Sequence, residues 1–244
     1  MKDGYKNEID FINYLNNKKY KEVNIIMQEL IKKLFPKVNQ ENIIRAYKYG
    51  KYAKTDVVIK IEGIEKGISI KCGSKNSVHL EEIKEFTKYI QKLGFIENDK
   101  LLRYLYSDGT NNNTGTKRES ASEYKENHVE DIKRVNKELE KIKEKLINRF
   151  LIKTDINYRV KVDAFILGTI NDFIWATQEE VVEYLVNEKQ DSTGVHVSNL
   201  FIQNWNKNLK YNEKYEHCRN YIQVKWFSMF DDILKIMCTR NKKW

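Results

Sequence analysis

Apolar residues recur at helical spacing twice near the start of the chain. Ile9, Phe11, Ile12 and Leu15 give residues 7–16 one apolar face; Ile26, Met27, Leu30, Ile31 and Leu34 do the same for residues 23–35, which Pro36 ends. The period then shortens to two. β-Branched runs at 55–61 and 66–72 flank a Gly-containing break at 62–65, the pattern of an antiparallel hairpin. Residues 73–77 read as a loop, with Ser77 the N-cap of a helix reaching Leu93. Residues 107–122 are rich in Asn, Thr and Gly, hold nothing that builds a core, and read as a mobile linker. From 123 to 150, Val129, Ile132, Val135, Leu139, Ile142 and Leu146 mark one long amphipathic helix dense in Lys and Glu. A second hairpin, 159–167 with 173–176, a helix at 178–186 and strands at 195–205 and 221–227 complete the pattern. The later half thus reads as a smaller mixed sheet, either extending the first or forming a separate lobe.

Composition narrows the class. Among 244 residues, 41% are apolar and 32% charged, with one proline and ten glycines, which excludes both a disordered tail and a membrane protein. Cys72, Cys218 and Cys238 are an odd number without C-x-x-C spacing, which argues against a disulfide framework or a zinc site. No apolar stretch follows the N-terminus to serve as an export signal, so a cytoplasmic protein is expected. The formal charge of +9 is uneven. Residues 1–100 hold 20 basic against 14 acidic side chains and residues 200–244 hold 9 against 4, while 154–199 hold 3 against 8. Basic ends suit a polyanion, although a Lys-, Asn- and Ile-rich composition also follows from an AT-rich genome.

The first hairpin carries the chemistry. Asp56, Val58 and Lys60 share one face and Ser69 and Lys71 the corresponding face of the return strand, opposite Ile68, Ile70 and Cys72. A loop over 62–65 sets Ile61 against Lys66 and Asp56 directly across from Lys71. A carboxylate and an ammonium held side by side on rigid strands suit metal-assisted hydrolysis. Glu8 falls within the apolar arc of its helix, where an acid is costly unless paired, metal-bound or frayed into solvent.

These residues resemble the PD-(D/E)xK nucleases: an acid on an early helix (Glu8), an Asp on one strand (Asp56) and an x-x-Lys on its antiparallel neighbour (Ser69-Ile70-Lys71). The resemblance covers roughly residues 5–95. Two positions depart from the family pattern, Thr55 standing before Asp56 in place of proline and Ser69 in place of the second acid. A subset of type II restriction endonucleases shares the Ser-x-Lys form and draws its missing carboxylate from the next helix, thirteen residues past the lysine. That count reaches Glu85, with Glu81 and Glu82 as rivals.

The resemblance implies an α/β fold with a restriction-endonuclease-like core (a mixed central sheet flanked by helices) and an added α+β C-terminal region. It implies a nuclease core at 1–106; the pattern of residues adds the polar loop at 107–122, the long helix at 123–153 and an α+β region at 154–244, expected to recognise DNA. The implied activity is Mg²⁺-dependent hydrolysis of duplex DNA, with Mn²⁺ able to substitute, by a homodimer of restriction type acting in phage defence. Catalytic roles fall to Asp56, Lys71, Ser69, Glu85, Glu81 and Glu8, and metal ligation to Asp56, Glu85 and Glu8. Lys75, Asn76, Ser77 and His79, in a segment similar to one found in restriction-type members, would hold a backbone phosphate. Basic and aromatic residues interleave from Trp205 to Trp226, and Arg219 and Lys225 are the DNA contacts expected there.

Three alternatives stay open. A second site, Asp163 with Gln223-Val-Lys225, fits a D…Q-x-K variant, but no hairpin joins its halves. A less specific DNase or RNase, and a binding module that has lost its metal carboxylate at Ser69, are the others. Nucleotide-binding glycine motifs, zinc spacings and serine-nucleophile motifs are absent.

Overall fold

The computed structural model describes residues 3–50, 53–73, 76–111, 115–153, 159–190, 192–205 and 213–241, with backbone alone for residues 3, 213–215, 217 and 241. Two compact units interleave along the chain. One comprises Met1–Lys75, Leu151–Tyr184 and Ser228–Trp244, the other Asn76–Phe150 and Leu185–Phe227. This division cuts across the boundaries expected at residues 106, 122 and 153, because strands far apart in sequence share a sheet.

In the first unit, helices α1 (Asp3–Leu15) and α2 (Ile25–Leu34) precede strands β1 (Arg45–Lys48), β2 (Val57–Ile61) and β3 (Ile64–Lys71). In the second unit, β4 (Ser77–Glu82) leads into α3 (Ile83–Lys92), α4 (Asn98–Leu105), α5 (Ala121–Asn127), α6 (Val129–Glu140) and α7 (Lys143–Ile147). The chain then adds β5 (Val162–Thr169), β6 (Asp172–Thr177) and α8 (Gln178–Asn187). Three strands, β7 (His196–Val197), β8 (Leu200–Asn204) and β9 (Tyr221–Trp226), and the helix α9 (Met229–Asn241) close it.

The first unit is built on a mixed five-stranded sheet in the order β1-β2-β3-β5-β6, antiparallel except for the parallel β3–β5 pair. One face carries Val57, Ile59, Ile61, Ile68, Ile70, Ala164 and Ile166, which pack with Phe11 and Leu15 of α1 and Met27, Leu30 and Ile31 of α2. The helical periodicity at the chain start therefore reports burial directly, each side chain contributing about 1.5–3 kcal/mol on leaving water. Asn24 caps α2, its side chain accepting from the Met27 amide at 2.9 Å. The fold class expected from sequence is present at this level: α/β, with a mixed sheet and flanking helices.

The hairpin register differs from expectation. Ile61 pairs with Ile64, not Lys66, because the turn is only Glu62-Gly63, both at positive φ (49° and 82°). Such a two-residue turn matches the twist of the flanking strands, and Gly adopts its second position without strain. The price is Ile64, left 57% exposed, so its apolar side chain gave no hint that the strand continued. A shift of two keeps every side chain on its face but sets Asp56 opposite Ser69 rather than Lys71.

The β3–β5 pair depends on close backbone approach. Gly67 pairs with Val162 and Ile68 with Ala164, leaving Asp163 as the extra residue of a bulge. A Cβ on Gly67 would lie 2.0 Å from the Lys161 carbonyl oxygen and 2.7 Å from Thr55 Oγ1. The Asp163 carboxylate fixes the bulge by accepting from the Gly67 amide at 2.9 Å and from Lys66 Nζ at 3.1 Å.

The second unit holds an antiparallel sheet, β4-β9-β8-β7. Four expectations change here. Residues 77–82 form a strand instead of the first turn of a helix, and Ser77 caps nothing; α3 starts only at Ile83. No β4 residue is fully buried, so alternation could not mark it. The long helix is three helices, broken at His128 (φ −126°, ψ 42°) and Ile142 (φ −118°, ψ 16°), whose backbones leave the helical region. The segment expected at 195–205 as one strand is the β7–β8 hairpin, turning at Ser198-Asn199.

The fourth change concerns the polar linker, which is anchored. Asp108, 2% exposed, is bonded by both Arg118 and Arg219 and by the backbone and hydroxyl of Thr110, and bridges at Asp108–Ser120 and Asn111–Lys117 close the loop. Polar residues hold this segment by charge where apolar ones would by burial. No described helix is long and apolar enough to cross a membrane.

Because β3 and β5 touch at Gly67, Gly67→Ala is expected to destabilise the chain by about 2–4 kcal/mol, read as a lower thermal midpoint. The exposed Gly63→Ala change, strained only by its positive φ, should cost less than half of that.

Candidate functional site

β2 begins, and β1, β3 and β5 end, at the same end of the five-stranded sheet, since β3 runs parallel to β5 and antiparallel to β2. Asp56 precedes β2 there and its amide donates to the Ile68 carbonyl at 2.9 Å, extending the ladder by one residue. Its Oδ2 accepts from the Ile70 amide at 2.7 Å and from the Ser69 hydroxyl at 3.2 Å, and lies 3.7 Å from Lys71 Nζ. Its carbonyl accepts from the Tyr49 amide at 3.2 Å, and among the described residues every hydrogen bond to its carboxylate falls on Oδ2. The carboxylate and ammonium expected to meet do so, diagonally across the pair instead of directly opposite. Their side chains are 19% and 24% exposed, and a pair so accessible to water is worth about 1 kcal/mol or less. Stability alone is a weak reason to place it there.

Thr55, 1% exposed, secures the approach to Asp56: its hydroxyl donates to the Val160 carbonyl at 3.1 Å, tying this segment to the start of β5. A rigid proline at this position would lack that tie, which is a physical reason for threonine here. Ser69, 4% exposed, is a hydrogen-bond donor to Asp56 in a place too buried for a second carboxylate to be added without cost.

Glu8 reaches the same end of the sheet from the opposite face. The buried Asn7 anchors α1 by donating from Nδ2 to the Gly168 carbonyl at 2.9 Å, one residue beyond the Lys71–Leu167 pair. Glu8 itself pairs with Lys48, which faces Val57 across β1–β2, and Lys48 also sits 4.2 Å from the centre of the Tyr5 ring. Its position on the apolar arc is thus explained by an ion pair. Asn7, a buried polar residue just outside that arc, was the overlooked signal for how α1 is tied to the sheet.

The remaining acids expected at the site belong to the second unit. Glu85 and Glu82 are exposed on and just before α3. Glu81 is engaged: Arg149 donates to both its oxygens, through Nε at 3.0 Å and through its second nitrogen, and His79 Nε2 lies 2.8 Å away. Burial pushes the Glu81 carboxyl up, but the bonds from His79 and Arg149 outweigh it and hold the group below its ordinary value of 4.5. Arg149 is held up in turn, its burial outweighed by Glu81, and its guanidinium stacks 4.1 Å over Tyr89. Among the described residues, no group of three or more His, Cys, Asp or Glu side chains is disposed to hold a metal ion.

The residues expected to contact phosphate are rearranged as well. Lys75 lies outside the described residues, as do Lys207, Lys210 and Tyr211. Asn76 and Ser77 lead into β4, with the Asn76 carbonyl accepting from Trp226 and Ser77 Oγ from Gln223, so no helix N-terminus stands beside them. His79 packs on Phe150 at 5.2 Å between ring centroids. Arg219 is committed to Asp108 and Glu216, and burial pulls its guanidinium down from the usual value. Lys225, on β9, faces the Phe227 ring at 5.6 Å and pairs with Ser77 and Phe201. The rival site is not assembled within either unit: Asp163 serves the bulge of the first, and Lys225 belongs to the second.

Glu81 gives a pH test of this arrangement. A carboxyl held low in the folded chain stabilises it fully above 4.5 and loses that contribution as pH falls from there through the folded value. The thermal midpoint of the native chain should therefore exceed that of Glu81→Gln at neutral pH, and the gap should narrow as pH falls from about 5 to about 3.

No protein-family model matches this chain and no curated protein matches its sequence, so its residues and their geometry carry the functional argument.

Proposed function

We propose that this chain is a Mg²⁺-dependent endonuclease of restriction type acting on duplex DNA. The single observation that carries the reading is the Asp56–Lys71 pair at 3.7 Å, with Ser69 and the Ile70 amide fixing the carboxylate from the same strand. The surplus of basic residues, +9 over the chain, suits a polyanionic substrate.

The donor set suits magnesium in one respect. Mg²⁺ keeps several waters and needs only one or two protein carboxylates when substrate phosphate completes its shell. Asp56 would hold it through Oδ1, since Oδ2 is occupied by protein donors. When bound, the ion neutralises charge on the scissile phosphate and acidifies a water. The protein's own contribution is positional. The Ile70 amide and Ser69 hydroxyl stop the Asp56 carboxylate from rotating. Lys71, projecting beside it from the end of β3, orients the attacking water and stabilises negative charge gathering on the phosphoryl oxygens. Glu8 would join only by exchanging Lys48 for the ion, and Glu81 only by leaving Arg149, so neither is assigned a ligand role. Glu85, exposed on α3, belongs to the second unit, and no ligand role is assigned to it either. Two copies of the chain would cut the two strands.

Defined plasmid DNA incubated with Mg²⁺ should yield discrete fragments, and none with EDTA. Asp56→Asn keeps the shape and one acceptor, and Lys71→Met keeps the stem; each should lower the cleavage rate about a hundredfold or more while the thermal midpoint and duplex binding stay near native. Native cleavage in both variants overturns the assignment. A smear in place of bands identifies a less specific nuclease, and binding without cleavage by the native chain identifies a binding module.

A further inference from the structure

The second unit contains a cleft of about 330 Å³ around the β7–β8 turn, lined by polar and charged residues. Its wall is rigid: Asn136 of α6 donates from Nδ2 to the Gly194 carbonyl at 2.9 Å and accepts from the His196 amide at 3.1 Å. Its lining includes Ser198, the first central residue of a two-residue turn, since Val197 pairs with Leu200. Ser198 has φ +51°, a conformation that glycine adopts freely and serine does not. Its residue is 2% exposed, and its hydroxyl has no hydrogen-bond partner among the described residues.

A glycine would suit this backbone better, and a buried hydroxyl with nothing to bond costs free energy. Both penalties fall on one side chain in the lining of the cleft. They are relieved together if the hydroxyl bonds a ligand.

The lining says what kind. Lys189 and Lys133 bring two ammonium groups and Gln190 an amide. Lys133 pairs with the exposed Glu130 at 2.8 Å, while Lys189 has no ion pair among the described residues. Among the described residues the one carboxylate in the lining, Glu140, is bound by the buried Lys143, whose ammonium also donates to the Glu188 carbonyl at 3.0 Å. Among its described residues the cleft lining is therefore rich in donors, with two ammonium groups against one carboxylate that Lys143 already answers. We propose that it binds a phosphoryl group, with the Ser198 hydroxyl donating to an oxygen and Lys189 supplying the charge. Such a group comes either from a nucleic-acid backbone or from a free phosphorylated molecule. This inference does not depend on the Asp56 site.

Isothermal titration of the full chain in EDTA, with inorganic phosphate and separately with a short DNA duplex, tests it. The native chain should bind at least one probe saturably. Ser198→Gly should weaken that binding about tenfold and keep or raise the thermal midpoint, because glycine relaxes the turn. Lys189→Glu should weaken it comparably. Phosphate binding without a Ser198-dependent effect on duplex assigns a small phosphorylated ligand, and a Ser198-dependent duplex affinity assigns the backbone. No saturable binding of either probe, or native affinity for both in Ser198→Gly, overturns the proposal. The titration in EDTA reads binding alone, without metal or cleavage, so its outcome is separable from that of the cleavage reading.

Discussion

A carboxylate standing at the end of a sheet must have its charge answered, and the way Asp56 is answered organises this end of the first unit. The Ile70 amide and Ser69 hydroxyl both donate to Oδ2, and Lys71 stands beside it. All three come from consecutive residues of β3, so one strand supplies the entire cradle. That works only if β3 is central and straight at its end, which its neighbours enforce: β2 on one side by a two-residue turn, β5 on the other by a parallel ladder. The alternation of a strand then sends Ser69 and Lys71 to one face and Ile68 and Ile70 to the other. The apolar face is clamped by α1 and α2; on the other face Val58, Ser69 and Phe165 are also buried, and Asp56 and Lys71 at its end stay partly open to water.

The same economy appears wherever this chain buries charge. Asp163 stabilises a bulge by taking an otherwise idle amide, Glu81 takes a bidentate arginine, and Asp108 gathers two arginines and a threonine. Removing one partner of such a group leaves a buried charge unanswered, which is much costlier than losing an exposed pair. The contrast separates acids with a structural task from Asp56, whose pairing is looser and partly open to water.

What could be read in advance followed from burial. The two early helices, both hairpins and α8 were legible because each buries one face, and periodicity encodes that directly. Asp56 and Lys71 were legible as neighbours because parity survives an error of two in register. What escaped were features that leave no periodic trace. β4 has no buried face, and β1 is four residues long with only Ala46 buried. α9 is joined to the first sheet through Arg240, which pairs with Glu180 and stacks 3.6 Å over Trp175, a link between residues far apart in the chain. The polar loop at 107–122 was misjudged because its anchor, Asp108, draws on Arg219, more than a hundred residues away. Neither the helical face of Glu8 nor the place of Glu81 at the helix start could show what else claims an acid: Lys48 claims Glu8, and Arg149 claims Glu81.

The measurement that bears most directly on the central claim is Mn²⁺ binding followed by electron paramagnetic resonance, with duplex DNA present to complete the shell. If Asp56 is the primary ligand, the native chain removes free Mn²⁺ signal saturably and Asp56→Asn does so at least tenfold more weakly. Equal binding by the two proteins would place the metal elsewhere and contradict the account.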